Sequence, residues 1–336
     1  MLFSDLIRHL TLDILGEESY TPQVIELHGL DLVKFYCGPL LEVFGRLSGK
    51  EYPLSEDSLR VQELLIPSPV TLEHKFLFAT DLHLGTPGQM DEKGIDLVFD
   101  EICGRLASAS GHRGLLIGGD FVNKPLMPVD NATSFRVFPQ FLSRINHLLN
   151  TEINIIAIPG NHDLENPDWE SYYRPALEHS GVVFLDNFET FNIGEITVVG
   201  MPEFTQPHVR SHFDQMAEEA RLFLASHLTQ SNPTIFLSHN PDAVDHIIGL
   251  LGRQDIVLTG HSHRSGYDMN RGVLANLLGR LALKAAPIQD HVSSKQGYRT
   301  LPKGATLYNP SGLGNHPLHG ARRIWHEMID LTFQPM

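Results

Sequence analysis

From about residue 61 onward the chain alternates two textures. Short apolar runs recur: "VQELLI", "HKFLFATD", "GLLIGGD", "INIIAIPG", "GVVFLD", "EITVVG", "PTIFLS", "DIVLTG", "ATLYN" and "EMIDLTF". Their length and their bounding turn residues predict buried strands. Between several of them lie longer segments with apolar residues at helical spacing, at 94–109, 134–149, 214–229 and 242–251. Strands alternating with helices predict an α/β domain with helices layered outside the sheets. Residues 1–58 read differently. "LFSDLIRHLTLDIL" and "LDLVKFYCGPLLEVFGRL" are helical in period, with Pro39 breaking or kinking the second, and "SGKEYPLSEDS" looks like a linker. The expected organisation is therefore a helical N-terminal extension, 1–58, followed by one layered domain, 59–336. No internal repeat or low-complexity tract interrupts it.

The ends of the predicted strands carry the chemistry. "FLFATDLHLG" ends in Asp81-Leu82-His83, "LLIGGDF" in Gly119-Asp120, and "IIAIPGNHD" in Asn161-His162-Asp163. "TIFLSHNPD" ends in Ser238-His239, and "IVLTGHSH" in His261-Ser262-His263. Open α/β sheets place their sites at strand C-terminal ends. A polar turn capping a strand is the plain alternative for each block alone. Five blocks in one order, each at a strand tip and separated by helix-sized gaps, favour a shared site.

Composition narrows the chemistry. The 19 histidines raise the prior for metal ligation, since imidazole is the commonest metal ligand. The formal net charge of −15 opposes binding to nucleic-acid backbones, so no nucleic-acid partner is expected. Cys37 and Cys103 are too few for a disulfide framework and read as reduced core residues of a cytoplasmic protein. The first twenty residues are acidic and lack the parts of a signal peptide. No apolar run reaches the roughly 20 residues needed to span a bilayer.

Carboxylate, amide oxygen and imidazole together suit hard to borderline divalent cations: manganese first, with iron, zinc or nickel as alternatives. A carboxylate can bridge two ions roughly 3.5–4 Å apart. Asp120, central in the series, is the natural bridge. Asp81, His83 and His263 would complete one site, and Asn161, His239 and His261 the other. His162 would stay free of metal and face the substrate.

The set Asp81-x-His83, Gly119-Asp120, Gly160-Asn161-His162-Asp163, His239 and Gly260-His261-x-His263 resembles the calcineurin-like metallophosphoesterase family, from about Val61 to the C-terminus. The resemblance implies a four-layer α/β fold, a two-sheet β-sandwich flanked by helices, with a binuclear centre at the strand tips. It also implies hydrolysis of a phosphodiester or pyrophosphate bond by in-line attack of a metal-bridging hydroxide. His162, oriented by Asp163, would stabilise the transition state or protonate the leaving oxygen. Asn123 stands where relatives acting on phosphoproteins carry a further acidic residue followed by Arg. Asn123 and Arg264 are candidate substrate contacts, with a surface role open for Arg264. A phosphomonoesterase, or a non-catalytic scaffold of the same fold, is the alternative.

"TDLHLG", "LSHNPD" followed by "GHSH", and "LYNPSGLG" look most like the bacterial branch of small membrane-associated phosphodiesterases. That branch includes a UDP-2,3-diacylglucosamine pyrophosphatase, which implies a lipid-linked nucleotide as a substrate class. Independently, residues 271–284, "RGVLANLLGRLALK", read as a short basic amphipathic helix. Such a helix can rest on a membrane surface or hold acyl chains, and equally can pack as a lid on the sandwich. Oligomeric state is not legible in the chain.

Overall fold

Alternation within β2 (His74–Ala79) sets the architecture. Phe76 and Phe78 alternate with Leu77 and Ala79, and all four are buried. A strand apolar on both faces needs cover on both. The computed structural model describes residues 54–336 apart from 87–88, 124–127, 204–217, 219–221, 224, 226–232, 248, 253–254, 262–296, 302–303, 311 and 315–325. Nearly all of the expected helical extension, most of the helix expected at 214–229 and the amphipathic segment 271–284 lie outside the described residues.

The described strands form two six-stranded sheets. In the first, β2 lies between β3 (Arg113–Ile117) and β12 (His326–Pro335), with β1 (Leu59–Ser68) beyond β12 and β4 (Asn154–Ala157) and β5 (Val183–Phe184) beyond β3. The second runs in the order β10-β11-β9-β8-β7-β6. Its members are β6 (Thr190–Ile193), β7 (Ile196–Gly200), β8 (Thr234–Ser238), β9 (Ile256–Thr259), β10 (Gly297–Thr300) and β11 (Thr306–Asn309). β2 through β5 are mutually parallel, as are β7, β8 and β9, so their C-terminal tips gather at one end of each sheet.

Three apolar layers hold this arrangement. Phe76, Phe78, Leu116 and Ile156 of the first sheet meet Val198, Ile235, Leu237 and Leu258 of the second. Leu77, Leu115, Ile117 and Ile155 face outward onto Ile95, Phe99 and Ile102 of α1 (Glu92–Ala107) and Val137, Phe141 and Ile145 of α2 (Pro128–Leu149). On the far side, Val199, Phe236 and Val257 are covered by Val244 and Ile247 of α5 (Val244–Ile247). Each fully buried side chain of this size contributes about 1.5–3 kcal/mol. Asp91 caps α1, accepting N–H groups of Lys93 and Gly94 at 3.1 Å. Arg105 in its last turn is bonded to Glu101, Glu63 and the buried Asp330, tying the helix to β1 and β12.

The expected α/β sandwich is present, with local differences. The segment expected as one helix at 242–251 is a 3₁₀ turn, Pro241–Ala243, followed by the single turn α5. "GVVFLD" contributes only two strand residues. β6 and β10 were not anticipated, because "TFNI" and "GYRT" are short and too polar to register as apolar runs. A π-helical turn, Trp169–Tyr173, leads into α4 (Arg174–Ser180) behind α3 (Asn161–Leu164), and no sequence signal announced it.

Candidate metal centre

The strand tips are interlocked backbone to backbone. The N–H of Asp81 donates to Gly119 O at 3.0 Å, that of His83 to Asp120 O at 2.8 Å, and that of Ile158 to Ile117 O at 3.0 Å. On the second sheet the Gly260 N–H donates to His239 O at 3.0 Å. Asp81, His83, Asp120 and His261 all adopt left-handed backbone, with φ of 52°, 45°, 54° and 63°. Such conformations cost roughly 1–3 kcal/mol each in non-glycine residues and persist where the surroundings overdetermine them. Glycine makes the crowding workable: a Cβ on Gly160 would overlap Asp120, and one on Gly260 would overlap Thr80. The late "NPSGLG" motif belongs to this frame. The Leu313 and Gly314 N–H groups donate to Thr80 O at 3.0 Å and Asp81 O at 2.6 Å, buttressing the Asp81–His83 turn.

Donor atoms converge on this frame. Asn161 Oδ1 stands 3.1 Å from His239 Nε2 and 2.8 Å from His261 Nδ1. Asp120 Oδ2 stands 3.3 Å from His239 Nε2 and 3.6 Å from His83 Nε2. Ligand atoms of Asp81, Asp120 and His239 all lie within 4.8 Å of one another. Asp120 is held in place because its Oδ1 accepts the His162 N–H at 2.9 Å, and Asp81 because its Oδ1 accepts the His261 N–H at 2.9 Å. Asp81, His83, Asp120 and His239 are essentially inaccessible to solvent, whereas Asn161 and His162 are partly exposed. The His162 ring meets that of His83 edge to face, centroids 5.1 Å apart. Asp120 thus sits between the Asn161–His239–His261 group and the Asp81–His83 group. His263 and Arg264 lie outside the described residues.

The electrostatics follow from burial among opposite charges. Burial opposes ionisation of Asp120, yet the charges of His239, His162 and His83 outweigh it and hold its carboxyl well below the usual range. For His239 burial disfavours the cation, but Asp120, then Glu203 and Asp81, raise its pKa well above that of ordinary histidine. Both its ring nitrogens face acceptor oxygens, Nδ1 towards Gly118 O at 2.8 Å and Nε2 towards Asn161 and Asp120, which suits an imidazolium. Burial and the charge of Asp120 push Asp163 up to about 8, opposed by backbone N–H groups.

Asp163 has a structural employment that differs from steadying the His162 ring. Its Oδ2 accepts the N–H of Gly160 at 2.9 Å and its Oδ1 that of Val122 at 3.0 Å, clamping the β4 tip to the β3 tip. Asn123 is buried, with Nδ2 3.5 Å from Thr86 Oγ1 and its carbonyl held by Asn166 at 2.8 Å. One residue escaped the sequence reading. β7 continues through Met201-Pro202 to Glu203, which is buried with its charge acting on His239. Its signal was available, since "EITVVG" is a buried strand followed by "MPE".

The donor set fits divalent cations. Neighbouring ligands in a shell of radius about 2.0–2.2 Å stand roughly 2.8–3.6 Å apart, the spacing that the Asn161, His239, His261, Asp120 and His83 atoms show. Asp120 Oδ2 is buried and accepts no hydrogen bond of good geometry among the described residues, so a lone pair remains for a cation. The family model of the calcineurin-like phosphoesterase matches the chain over residues 74–265, more than half its length. No curated protein matches the chain.

Proposed function

The chain belongs to the calcineurin-like phosphoesterase family, which makes it a metal-dependent phosphoric ester hydrolase, and from that premise we propose a binuclear site hydrolysing a phosphodiester or pyrophosphate bond. The observation that carries the proposal is the position of Asp120, a buried carboxylate between two groups of ligand-capable atoms. Asn161, His239 and His261 would hold one divalent ion and Asp81 and His83, with His263, the other, with Asp120 shared between them. Manganese is the expected metal, with iron, zinc and nickel compatible with the same ligands. When bound, the two ions supply a water of lowered pKa and neutralise phosphoryl charge.

The protein's own residues do the rest. Asp120 fixes the His162 backbone at 2.9 Å, which presents the partly exposed imidazole beside the ligand cluster. From there His162 stabilises charge on the phosphoryl oxygens or hands a proton to the leaving oxygen. Asp163 keeps the two loops that carry Asp120 and Asn161 in register. Asn123 and Arg264 stand on the substrate side of the reading. Residues 59–336 form the phosphoesterase domain, and 1–58 an extension.

The substrate class proposed is a lipid-linked nucleotide such as UDP-2,3-diacylglucosamine. It rests on "TDLHLG", "LSHNPD", "GHSH" and "LYNPSGLG" and on the leucine-rich segment 271–284. A cytoplasmic protein in peripheral contact with the inner membrane through that segment is consistent with this. No helix among the described residues is long and apolar enough to cross a membrane.

Two assays test the reading. Manganese-loaded protein should cleave bis-p-nitrophenyl phosphate faster than p-nitrophenyl phosphate; the reverse preference would make it a phosphomonoesterase. With detergent-dispersed UDP-2,3-diacylglucosamine, UMP release that depends on His162 is expected. No release from metal-loaded protein removes that substrate and leaves the hydrolase in place.

A further inference from the structure

At the end of the sandwich away from the strand tips, a carboxylate and two imidazoles join the sheets. β2 begins at His74, and the turn between β6 and β7 supplies Gly194 and Glu195. Glu195 Oε2 accepts the Thr71 N–H at 2.6 Å and the Thr71 hydroxyl at 3.0 Å, and His74 Nε2 stands 3.4 Å from the same oxygen. A carboxylate only accepts, so a neutral His74 ring carries its proton on Nε2. The His112 ring, from the turn before β3, lies parallel to that of His74, with planes 9° and centroids 5.3 Å apart. Gly194 closes the seam. Its φ of 59° favours glycine, and a Cβ there would overlap both imidazoles.

The seam suits a neutral His74. The residue is 1% exposed, and its Nδ1 is buried with no hydrogen-bond partner among the described residues. Protonation would place an N–H where no acceptor stands and a charge against the second imidazole. Glu195 favours the cation, but its side chain is 36% exposed and its carboxylate is shared with Thr71. Burial is the largest influence and, with His112, holds the His74 ring below ordinary histidine against the pull of Glu195. The remaining neighbour across the sheet, Phe333 on β12, is apolar.

We propose that this cluster is an acid-released clasp between the two sheets: His74 must be neutral for the β6–β7 turn to stay closed on the first sheet, and its protonation frees the turn. A ring whose folded value lies below the unfolded value of about 6.5 contributes stability above that pH and loses it as pH falls. At about pH 5.5, one unit lower, an exposed His74 is roughly ten parts protonated to one part neutral, so opening gains up to about tenfold over neutral pH.

Amide hydrogen exchange of the full chain, read by mass spectrometry on peptides across 190–200 and corrected for intrinsic pH dependence, measures this opening. Between about pH 7.5 and pH 5.5 the native chain should lose about three- to tenfold in protection there. His74→Gln, neutral at both pH values and able to donate an N–H to Glu195, should change by less than about twofold. A native loss under about twofold, or protection that rises in acid, overturns the proposal. So does a loss in His74→Gln as large as in the native chain, which would assign the effect to other groups. Should His74→Gln not fold, His112→Ala decides. It opens one face of the His74 ring to water and removes the facing imidazole, so it should at least halve the native loss, and an undiminished loss overturns the clasp.

Discussion

Asp120→Asn is the substitution that separates a two-ion centre from a cluster of buried polar side chains. Asparagine keeps the shape and leaves an oxygen to accept the His162 N–H, now 2.9 Å from Asp120 Oδ1. It removes the charge. At the 3.3 Å separation of Asp120 Oδ2 from His239 Nε2, a full ion pair at an effective dielectric of 20 is worth about 5 kcal/mol, and desolvation takes back part of it. Removing one partner of such a buried pair typically costs about 3–5 kcal/mol. That is a large fraction of the roughly 5–15 kcal/mol by which a domain is stable. Metal-free Asp120→Asn should therefore unfold at markedly lower guanidinium concentration than metal-free native chain. It should also retain no ions after dialysis, measured by atomic emission, if both groups of ligand-capable atoms share this one carboxylate as proposed. A folded variant that still holds two ions would refute the bridging assignment, and one that holds a single ion would show Asp120 serving one group only.

His162→Ala should keep both ions and lose about 10²–10⁴-fold in kcat on a diester, as the proposed role in proton transfer or charge stabilisation rather than ligation requires; unchanged kcat with full metal content counts against that role. Gly160→Ala should lower both thermal stability and metal content, because the added Cβ overlaps the backbone and carboxylate of Asp120; calorimetry and atomic emission would read the two effects, and a native-like protein would show that the β4 tip yields. Metal-free protein should lose stability from about pH 4 towards pH 8. Asp163, pushed up to about 8, keeps its proton while the unfolded chain releases it above about 3.9, so stability falls as pH rises across that window. His239, raised above its unfolded value of about 6.5, contributes stability that is present below that pH and lost as pH rises through the folded value. Asp163→Asn should flatten the limb between pH 4 and 6.5 in calorimetric scans, at a constant cost of about 1–3 kcal/mol from the backbone N–H left facing an amide NH₂; an unflattened limb would assign the slope to other groups.

The layered fold was legible because its strands announce themselves. "FLFA", "LLI", "IIA", "IFL" and "IVL" are apolar on consecutive residues, as a strand covered on both faces requires. β6 and β10 stayed hidden for the complementary reason: each is a short sheet edge, as are the two residues of β5, and an edge needs few apolar positions. The order of strands within each sheet was not readable from the runs themselves. β12, last in the chain, lies between β1 and β2 through pairings that no local pattern encodes.

The ligand-capable tips were legible for a different reason. Asp81, His83, Asp120, Asn161, His239 and His261 all lie within a few residues of the end of an apolar run, so their place at a strand tip could be read one strand at a time. Convergence then followed from parallel strands ending at one level. What stayed illegible depends on distances between tips. Asp163 looked like a partner for its neighbour His162, yet its carboxylate reaches 41 residues back in the chain to Val122 and braces two loops. "NPSGLG" looked like a family marker, and its work is to buttress the Asp81 turn from the far end of the sequence. Residues that touch the reacting centre are declared by local pattern here, whereas residues that hold the centre together are declared only by the packing of one tip against another.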